Sequence, residues 1–277
     1  MKRLLIITIA LSGGVVAGCT FKEHNVRETE TSVTGVATID QHNTPISHEC
    51  AGEEGYVWSE VRQECIRVLE TGIRTDATDG SQTSAFIVFN NDSSQAEIFF
   101  SDSRPNEIIS RRPQTDGKPE WGTSEQKGKR VYLNNGIWTI SQQQKYIFSQ
   151  PKEETDPTLG DLQVRTYSGL LPAASGPGIH YLLTVRNREY SGDGMFMLIM
   201  TYLEAENGED ESFEYIGKRY TLRGMAGNND ATVWQLRADD GTIFNFLYDS
   251  NENTLTLLND NLEKAETTLN YTLQPEE

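Results

Sequence analysis

The chain has 277 residues, a formal net charge of −17 and 36% hydrophobic residues. The length suggests about two domains of roughly 100–200 residues each, and the modest hydrophobic fraction predicts long polar connections. Such an acidic chain repels phosphate backbones, so the composition argues against nucleic-acid binding. The negative charge is typical of a highly soluble protein. The alternative interpretation is that it binds a partner with a basic surface.

The first residues, MKRLLIITIALSGGVVAGCTF, have the order of a secretory signal that ends in a lipidation site. Lys2 and Arg3 precede an apolar run that is shorter than the roughly 20 residues needed to span a bilayer. Val16–Cys19 (VAGC) resembles a bacterial lipobox, in which cleavage precedes the cysteine and the thiol carries diacylglycerol. A plain signal peptide with a nearby cysteine is the alternative.

We therefore expect residues 1–18 to be a lipoprotein signal peptide and Cys19 to carry lipid. N-acylation, for example by palmitate, normally adds a further chain, and several acyl chains suffice for stable anchoring. Thr20 stands where an aspartate would favour retention in the inner membrane, so the expected location is the outer membrane, on either face. The predicted partners are thus the membrane, through the lipid, and an envelope protein.

Residues 19–49 are polar and show no sustained periodicity, which predicts a flexible tether. His24, His42 and His48 lie in it, but their spacing matches no compact set of metal ligands. A loose metal-binding tail is the alternative interpretation.

Cys50 and Cys65 form an even pair in an exported chain, which predicts a structural disulfide and not a redox motif. Between them, Ser59 could cap a helix, and Val61, Cys65 and Leu69 follow at helical spacing. We expect a helix that continues to about Glu70.

Short runs rich in β-branched and aromatic residues fill residues 85–150, and Asn135-Gly136 marks a type I′ hairpin. Residues 50–150 are therefore expected to form a small α+β module with one short helix beside an antiparallel sheet. Its loop material carries basic residues that are either solvated or contact an acidic partner. They are Arg111, Arg112, Lys118, Lys127, Lys129 and Arg130.

The segment 151–161 has two prolines and four acidic residues, which predicts a linker. Eight short strand patterns separated by turns follow in residues 162–277. Their spacing predicts an antiparallel up-and-down β-barrel, so that the chain as a whole is mainly β.

One stretch of this barrel carries a resemblance. TYSGLLPAASGPGIHYLLTV, followed by FMLIMTYL, GKRYTLRG and TLTLLNDNLEK, resembles the amino-terminal domain of the NlpE family of bacterial outer-membrane lipoproteins. The resemblance covers about residues 162–277 and implies a calycin-like barrel, with links to copper tolerance and to sensing of envelope stress. The family pattern has two cysteines in the loop that here reads Pro172-Ala173-Ala174-Ser175-Gly176-Pro177-Gly178.

Ala173 and Gly176 occupy the two cysteine positions, so the loop keeps Pro172 and Gly178 but has lost the thiols. Copper chemistry through thiolates is therefore not expected here. His180, Met195 and Met197 are the weak alternative ligands for a metal, because thioethers bind Cu(I), although methionine in an apolar strand is usually core filling. A catalytic Ser175–His180 pair lacks any supporting arrangement.

The sequence thus predicts a non-enzymatic envelope lipoprotein that acts as a binding, sensing or structural module in envelope or copper stress, with no cofactor. No P-loop, HExxH, nucleophile elbow or dinucleotide fingerprint is present. Three alternatives remain open: a copper chaperone that uses His and Met, an inhibitor of an exported hydrolase such as lysozyme, and an enzyme that holds a small apolar molecule in the barrel.

Overall fold

In this computed structural model the described residues are 50, 54–102, 104–113, 118–123, 125, 127–205 and 208–276. The predicted signal peptide, Cys19 with its predicted lipid, and the predicted tether with its histidines lie outside them. Within the described residues the fold is mainly β, as predicted. No helix there is long and apolar enough to cross a bilayer.

The segment at the disulfide is a hairpin and not the predicted long helix. β1 (Val57–Ser59) pairs with β2 (Glu64–Ile66), and only α1 (Val68–Thr71) is helical. The Ser59 hydroxyl donates to Glu97 Oε2 at 2.8 Å and accepts from the Arg62 amide at 3.3 Å. Ser59 therefore closes a turn where a helix cap was expected, and Cys50 and Cys65 are bonded as predicted.

The next eight strands form a closed antiparallel barrel, here called the amino-terminal barrel. They are β3 (Ile73–Ala77), β4 (Ser84–Phe89), β5 (Gln95–Phe100), β6 (Glu107–Arg112), β7 (Glu120–Gly122), β8 (Lys129–Asn134), β9 (Ile137–Gln142) and β10 (Lys145–Ser149). Closure comes from the pairing of Phe148 and Ser149 with Ala77 and Asp76. The sequence predicted a sheet here but not its closure.

The interior of this barrel is filled by side chains that alternate along the strands. Phe89, Trp121 and Trp138 meet at one end, with ring centroids 4.6 to 5.8 Å apart. Ile87, Ile98 and their neighbours complete the core, as the alternation of a half-buried strand predicts.

Residues 151–161 are ordered against the protein and contain a short helix. α2 (Lys152–Thr155) is followed by a 3₁₀ turn (Pro157–Leu159), and the Glu154 side chain is buried. The sequence predicted a solvated linker at this position, because charge is normally solvated in such segments.

Eight further strands close into a second antiparallel barrel, here called the carboxy-terminal barrel. They are β11 (Leu162–Leu171), β12 (Ile179–Arg188), β13 (Gly194–Tyr202), β14 (Glu211–Met225), β15 (Asn228–Ala238), β16 (Ile243–Asp249), β17 (Thr254–Leu258) and β18 (Thr272–Pro275). Tyr167, Tyr181, Phe196, Trp234 and Phe246 are prominent in its interior, which is packed with side chains.

An apolar cluster joins the two barrels. Met195 and Met197 of β13 pack with Phe86 and Val88 of β4 and with Phe99 of β5. Met200 points to the opposite face, into the carboxy-terminal barrel. The two methionines thus share one strand face, as predicted, but that face is the outside of their barrel.

Buried charges surround this apolar contact. Lys218 Nζ lies 2.6 Å from Asp76 Oδ1 and donates to Ser84 Oγ at 2.8 Å. Arg74 binds Asp76 through two nitrogens at 3.0 and 2.7 Å. Lys218 of β14 therefore links the carboxy-terminal barrel to β3 and β4 of the amino-terminal barrel through Asp76 and Ser84.

Candidate functional site

The loop between β11 and β12, residues 172–178, forms one side of a pocket at the end of the carboxy-terminal barrel. The cavity has a volume of about 510 Å³, and we call it the mouth pocket. Its lining comprises Ser175, Gly176, Tyr202, Leu203, Glu204, Ala205, Glu211, Phe213 and Tyr215. The loop that the family resemblance singles out therefore does face a cavity, although no thiol lies there.

Gly176 occupies one of the two positions at which the family pattern has cysteine, and its backbone geometry disfavours a side chain there. Its φ is +80°, a left-handed conformation, and an added Cβ would lie 2.9 Å from the Leu203 carbonyl oxygen. The Leu203 amide in turn donates to the Gly178 carbonyl at 3.1 Å, which holds the loop against the β13–β14 connection. A cysteine at 176 would thus require the loop to move.

Ala173, at the other position where the family pattern has cysteine, is half-buried beside Pro172, and Ser175 is exposed. Neither alanine nor glycine offers a lone pair from its side chain. The chemistry available in the mouth pocket therefore comes from aromatic rings and carboxylates.

Aromatic side chains dominate the floor of the mouth pocket. Tyr202 and Phe213 make an edge-to-face contact at 5.6 Å, and Tyr215 and Phe244 make another at 5.1 Å. Glu204 and Glu211 add negative charge at the rim. Aromatic faces beside carboxylates suit an organic group that is apolar or positively charged.

Tyr181 lies in the barrel interior near the pocket residues Tyr202 and Tyr215, and it is 5% exposed. Burial raises the pKa of Tyr181 to about 12, and the neighbouring phenols of Tyr202, Tyr215 and Tyr271 add to the effect. Its hydroxyl therefore stays neutral at physiological pH and acts as a hydrogen-bonding group and not as an anion.

His180 and the two methionines do not converge. His180 is on the same outer face as Met195 and Met197, but it pairs with Thr201, whereas Met197 pairs with Thr184. Four residues along a strand correspond to about 13 Å. His180 Nδ1 instead lies 2.9 Å from Glu54 Oε2, and the methionines are buried between the barrels.

The arrangement also keeps Ser175 and His180 apart. Ser175 lines the mouth pocket, whereas His180 lines a separate cleft of about 990 Å³ beside Cys50, Glu54 and Arg67. In that cleft Glu54 also accepts from Thr201 Oγ1 at 2.8 Å. In the part of the chain that the structure describes, no group of three or more His, Cys, Asp or Glu side chains is placed to hold a metal ion.

Most of the basic residues predicted to cluster in the amino-terminal barrel have local partners. Arg112 donates to the Thr123 carbonyl at 2.9 Å, and Arg111 lies over the Trp121 ring. Lys129 pairs with Glu107, and Arg130 lies 3.5 Å from Glu120. Lys129 and Arg130 thus pair with carboxylates, whereas Arg111 and Arg112 have uncharged partners and keep their positive charge at this surface.

The second half of the chain is a closed antiparallel barrel with a pocket at one end. Residues 167–268 match the family model described as the NlpE N-terminal domain, so the carboxy-terminal barrel is an NlpE-like domain, as the sequence resemblance predicted. No curated protein and no solved structure matches the chain.

Proposed function

We propose that this protein is a lipid-anchored, non-enzymatic lipoprotein of the outer membrane whose NlpE-like domain binds a ligand or partner at the mouth pocket and reports envelope stress. The NlpE-like match supports an envelope lipoprotein. The lipobox pattern that ends at Cys19 supports the anchor independently.

The proposed mode of binding rests on the backbone conformation at Gly176. The backbone there is left-handed and a Cβ would be 2.9 Å from the Leu203 oxygen. Because the loop is shaped to exclude a side chain at this position, recognition at the mouth pocket uses aromatic contact and the carboxylates of Glu204 and Glu211. The proposed recognition does not involve coordination of copper by thiolates.

The anchor is tested by metabolic labelling with an alkyne analogue of palmitate. The wild-type protein is expected to be labelled and to fractionate with the outer membrane, whereas Cys19→Ser is expected to lose both properties. Label that persists in Cys19→Ser would refute the anchor.

The role of the mouth pocket is tested with an envelope-stress transcription reporter in cells that carry Tyr202→Ala. The reporter response is expected to fall with Tyr202→Ala and to remain with Tyr190→Ala, because Tyr190 is 70% exposed and lies in a different loop. Competition between the purified protein and a Cu(I) chelator separates the copper-chaperone alternative: tight binding of Cu(I) would contradict the proposal.

A second function gains support from the amino-terminal barrel. An inhibitor of an exported hydrolase needs a rigid surface, and residues 73–149 form a closed barrel with a packed interior. The test is to mix the purified protein with lysozyme and measure the rate of cell-wall lysis. A rate that is unchanged at equimolar and tenfold excess would exclude lysozyme as the target.

A further inference from the structure

A strained hairpin marks one side of the amino-terminal barrel. Gln143 and Gln144 connect β9 to β10 with φ values of 51° and 64°, so both residues are left-handed. Type I′ turns of this kind favour Asn-Gly, and the adjacent β8–β9 hairpin has that sequence, with Asn135 at 51° and Gly136 at 83°.

The two glutamines are costly in this conformation. A residue with a Cβ costs roughly 1–2 kcal/mol in the left-handed region compared with the right-handed one. The preceding hairpin of the same barrel has Asn135 and Gly136 at its turn, and this pair adopts the left-handed conformation at a lower cost in free energy. Backbone strain of this kind is often found at binding sites. The surroundings of the two glutamine side chains are therefore informative.

Gln143 and Gln144 line a cavity of about 900 Å³ on the outer face of β7–β10, which we call the tyrosine groove. Tyr132, Ser141 and Tyr146 line it too. Ser141 pairs in register with Arg130 on one side and with Tyr146 on the other, so these side chains share the outer face of the sheet. The groove is thus built on rigid strands with the strained turn at its end.

The tyrosine groove presents flat aromatic surface. Tyr146 is 49% exposed, and its hydroxyl accepts a hydrogen bond from Asn134 Nδ2 at 3.3 Å, which fixes the ring. Tyr132 is half-buried beside it. Burial raises the pKa of Tyr132, so that its phenol remains a neutral hydrogen-bonding group.

Charge in the groove is not fully balanced, because Lys127 lines it beside the Arg130–Glu120 pair. Arg130 Nη1 lies 3.5 Å from Glu120 Oε1, so the cation and the carboxylate offset each other. The remaining polar groups are mostly amides and hydroxyls, which both donate and accept hydrogen bonds. A ligand that is rich in hydroxyl groups matches these amides, hydroxyls and aromatic rings.

We propose that the tyrosine groove binds a neutral oligosaccharide of two or three sugar rings. A pyranose ring has an apolar C–H face, which packs on Tyr146 and Tyr132, and a rim of hydroxyl groups, which bond to the exposed amides of Gln143 and Gln144. The cavity volume lies within the range of about 300–1,000 Å³ that is usual for small-molecule sites. Strand faces of small barrels bind oligosaccharides in other folds. This site is independent of the mouth pocket.

The test uses the full lipoprotein purified in detergent and three neutral trisaccharides: chitotriose, cellotriose and maltotriose. Isothermal titration calorimetry is expected to show saturable binding of at least one of them. Tyr146→Ala is expected to weaken that binding about tenfold or more, equivalent to about 1.4 kcal/mol. The control Tyr190→Ala, which removes an exposed tyrosine of the other barrel, is expected to bind like the wild type.

A double variant, Gln143→Asn with Gln144→Gly, gives a readout that a purely structural turn would not produce. Relief of the left-handed strain is expected to raise the denaturation midpoint. Removal of the amide at position 144, and its retraction by one methylene at position 143, are expected to weaken sugar binding at least fivefold. The opposite movement of stability and affinity separates a ligand contact from a folding role.

Three results would overturn the proposal. The first is the absence of binding for all three trisaccharides at millimolar concentration. The second is unchanged affinity in the Asn-Gly variant. The third is capture of an envelope protein that Tyr146→Ala abolishes in the absence of any sugar binding, which would make the groove a protein-binding surface.

Discussion

Arg186 of β12 and Glu154 of α2 form a buried ion pair with two hydrogen bonds of 3.0 and 2.8 Å. Arg186 also donates to the carbonyl oxygens of Leu69 at 2.6 Å and Gly72 at 3.1 Å. One guanidinium therefore joins the carboxy-terminal barrel to both α2 and α1. Both side chains of the pair are at most 5% exposed.

Replacement of Glu154 by Ala is expected to lower the free energy of unfolding by about 3–5 kcal/mol, because Arg186 is left buried without its counterion. Urea denaturation followed by tryptophan fluorescence measures the loss. The neighbouring Glu153 is the matched control: its side chain is 34% exposed, so Glu153→Ala should change stability by about 1 kcal/mol or less. Equal effects of the two substitutions would show that the pair contributes little.

Lys218 between the barrels gives a prediction for alkaline pH. Burial, together with the charge of Arg74, lowers the pKa of Lys218 to about 8, in spite of the opposing charge of Asp76. In the unfolded chain lysine titrates near 10.4. Between these values the unfolded state binds more protons, so the stability of the protein should rise with pH from about 8 to 10.

The expected gain attributable to Lys218 is roughly 2–3 kcal/mol, at about 1.4 kcal/mol for each pH unit. Lys218→Met removes the titrating group and keeps the aliphatic volume, so this rise should disappear in the variant. Calorimetric unfolding at intervals of half a pH unit detects it. A wild-type profile that is flat between pH 8 and 10 would contradict the prediction.

Tyr181 should have the opposite effect at higher pH. Its pKa is raised to about 12 in the folded barrel, whereas an unfolded tyrosine titrates near 10. The stability that its neutral form provides is complete below pH 10 and is lost as the pH rises towards 12, by roughly 2–3 kcal/mol.

Tyr181→Phe should lack that alkaline loss, as measured by urea denaturation at pH 9, 10 and 11. Tyr146→Phe provides the control, because Tyr146 is 49% exposed on the other barrel, and the loss should persist in it. A Tyr181→Phe profile identical to that of the wild type would assign the loss to other groups.

Gly176→Ala should lower the free energy of unfolding by roughly 1–2 kcal/mol, since an L-residue is strained at a φ of +80° and its Cβ would press on Leu203. Ala174→Ser, at an exposed position two residues earlier, is expected to have little effect. Thermal unfolding of both variants tests the difference. A Gly176→Ala variant as stable as the wild type would show that the loop relaxes at no cost.

Period-two alternation made much of the carboxy-terminal barrel predictable from sequence. Each of its eight strand patterns corresponds to a strand, and the long run from Glu211 to Met225 is a single strand, β14. Alternation also places Met195 and Met197 on one face. It does not say which face is inside, because both faces of β13 are apolar: one faces the barrel interior and the other faces the second barrel.

Other features depended on contacts distant in sequence. The helix predicted from Ser59 was wrong because Ser59 bonds to Glu97, 38 residues away. Glu154 was assigned to a solvated linker because no local pattern indicates its partner Arg186, 32 residues later. Closure of the amino-terminal barrel depends on the pairing of its first and last strands, for which the sequence contains no signal.

Among the described residues, tightly packed side chains occupy the inside of both barrels. A ligand site on either barrel therefore has to lie at the barrel ends or on the outer faces. A substitution there leaves the volume of the packed core unchanged. The loop with Ala173 and Gly176 lies at such a barrel end, so its side chains can differ while the packing of the barrel stays the same.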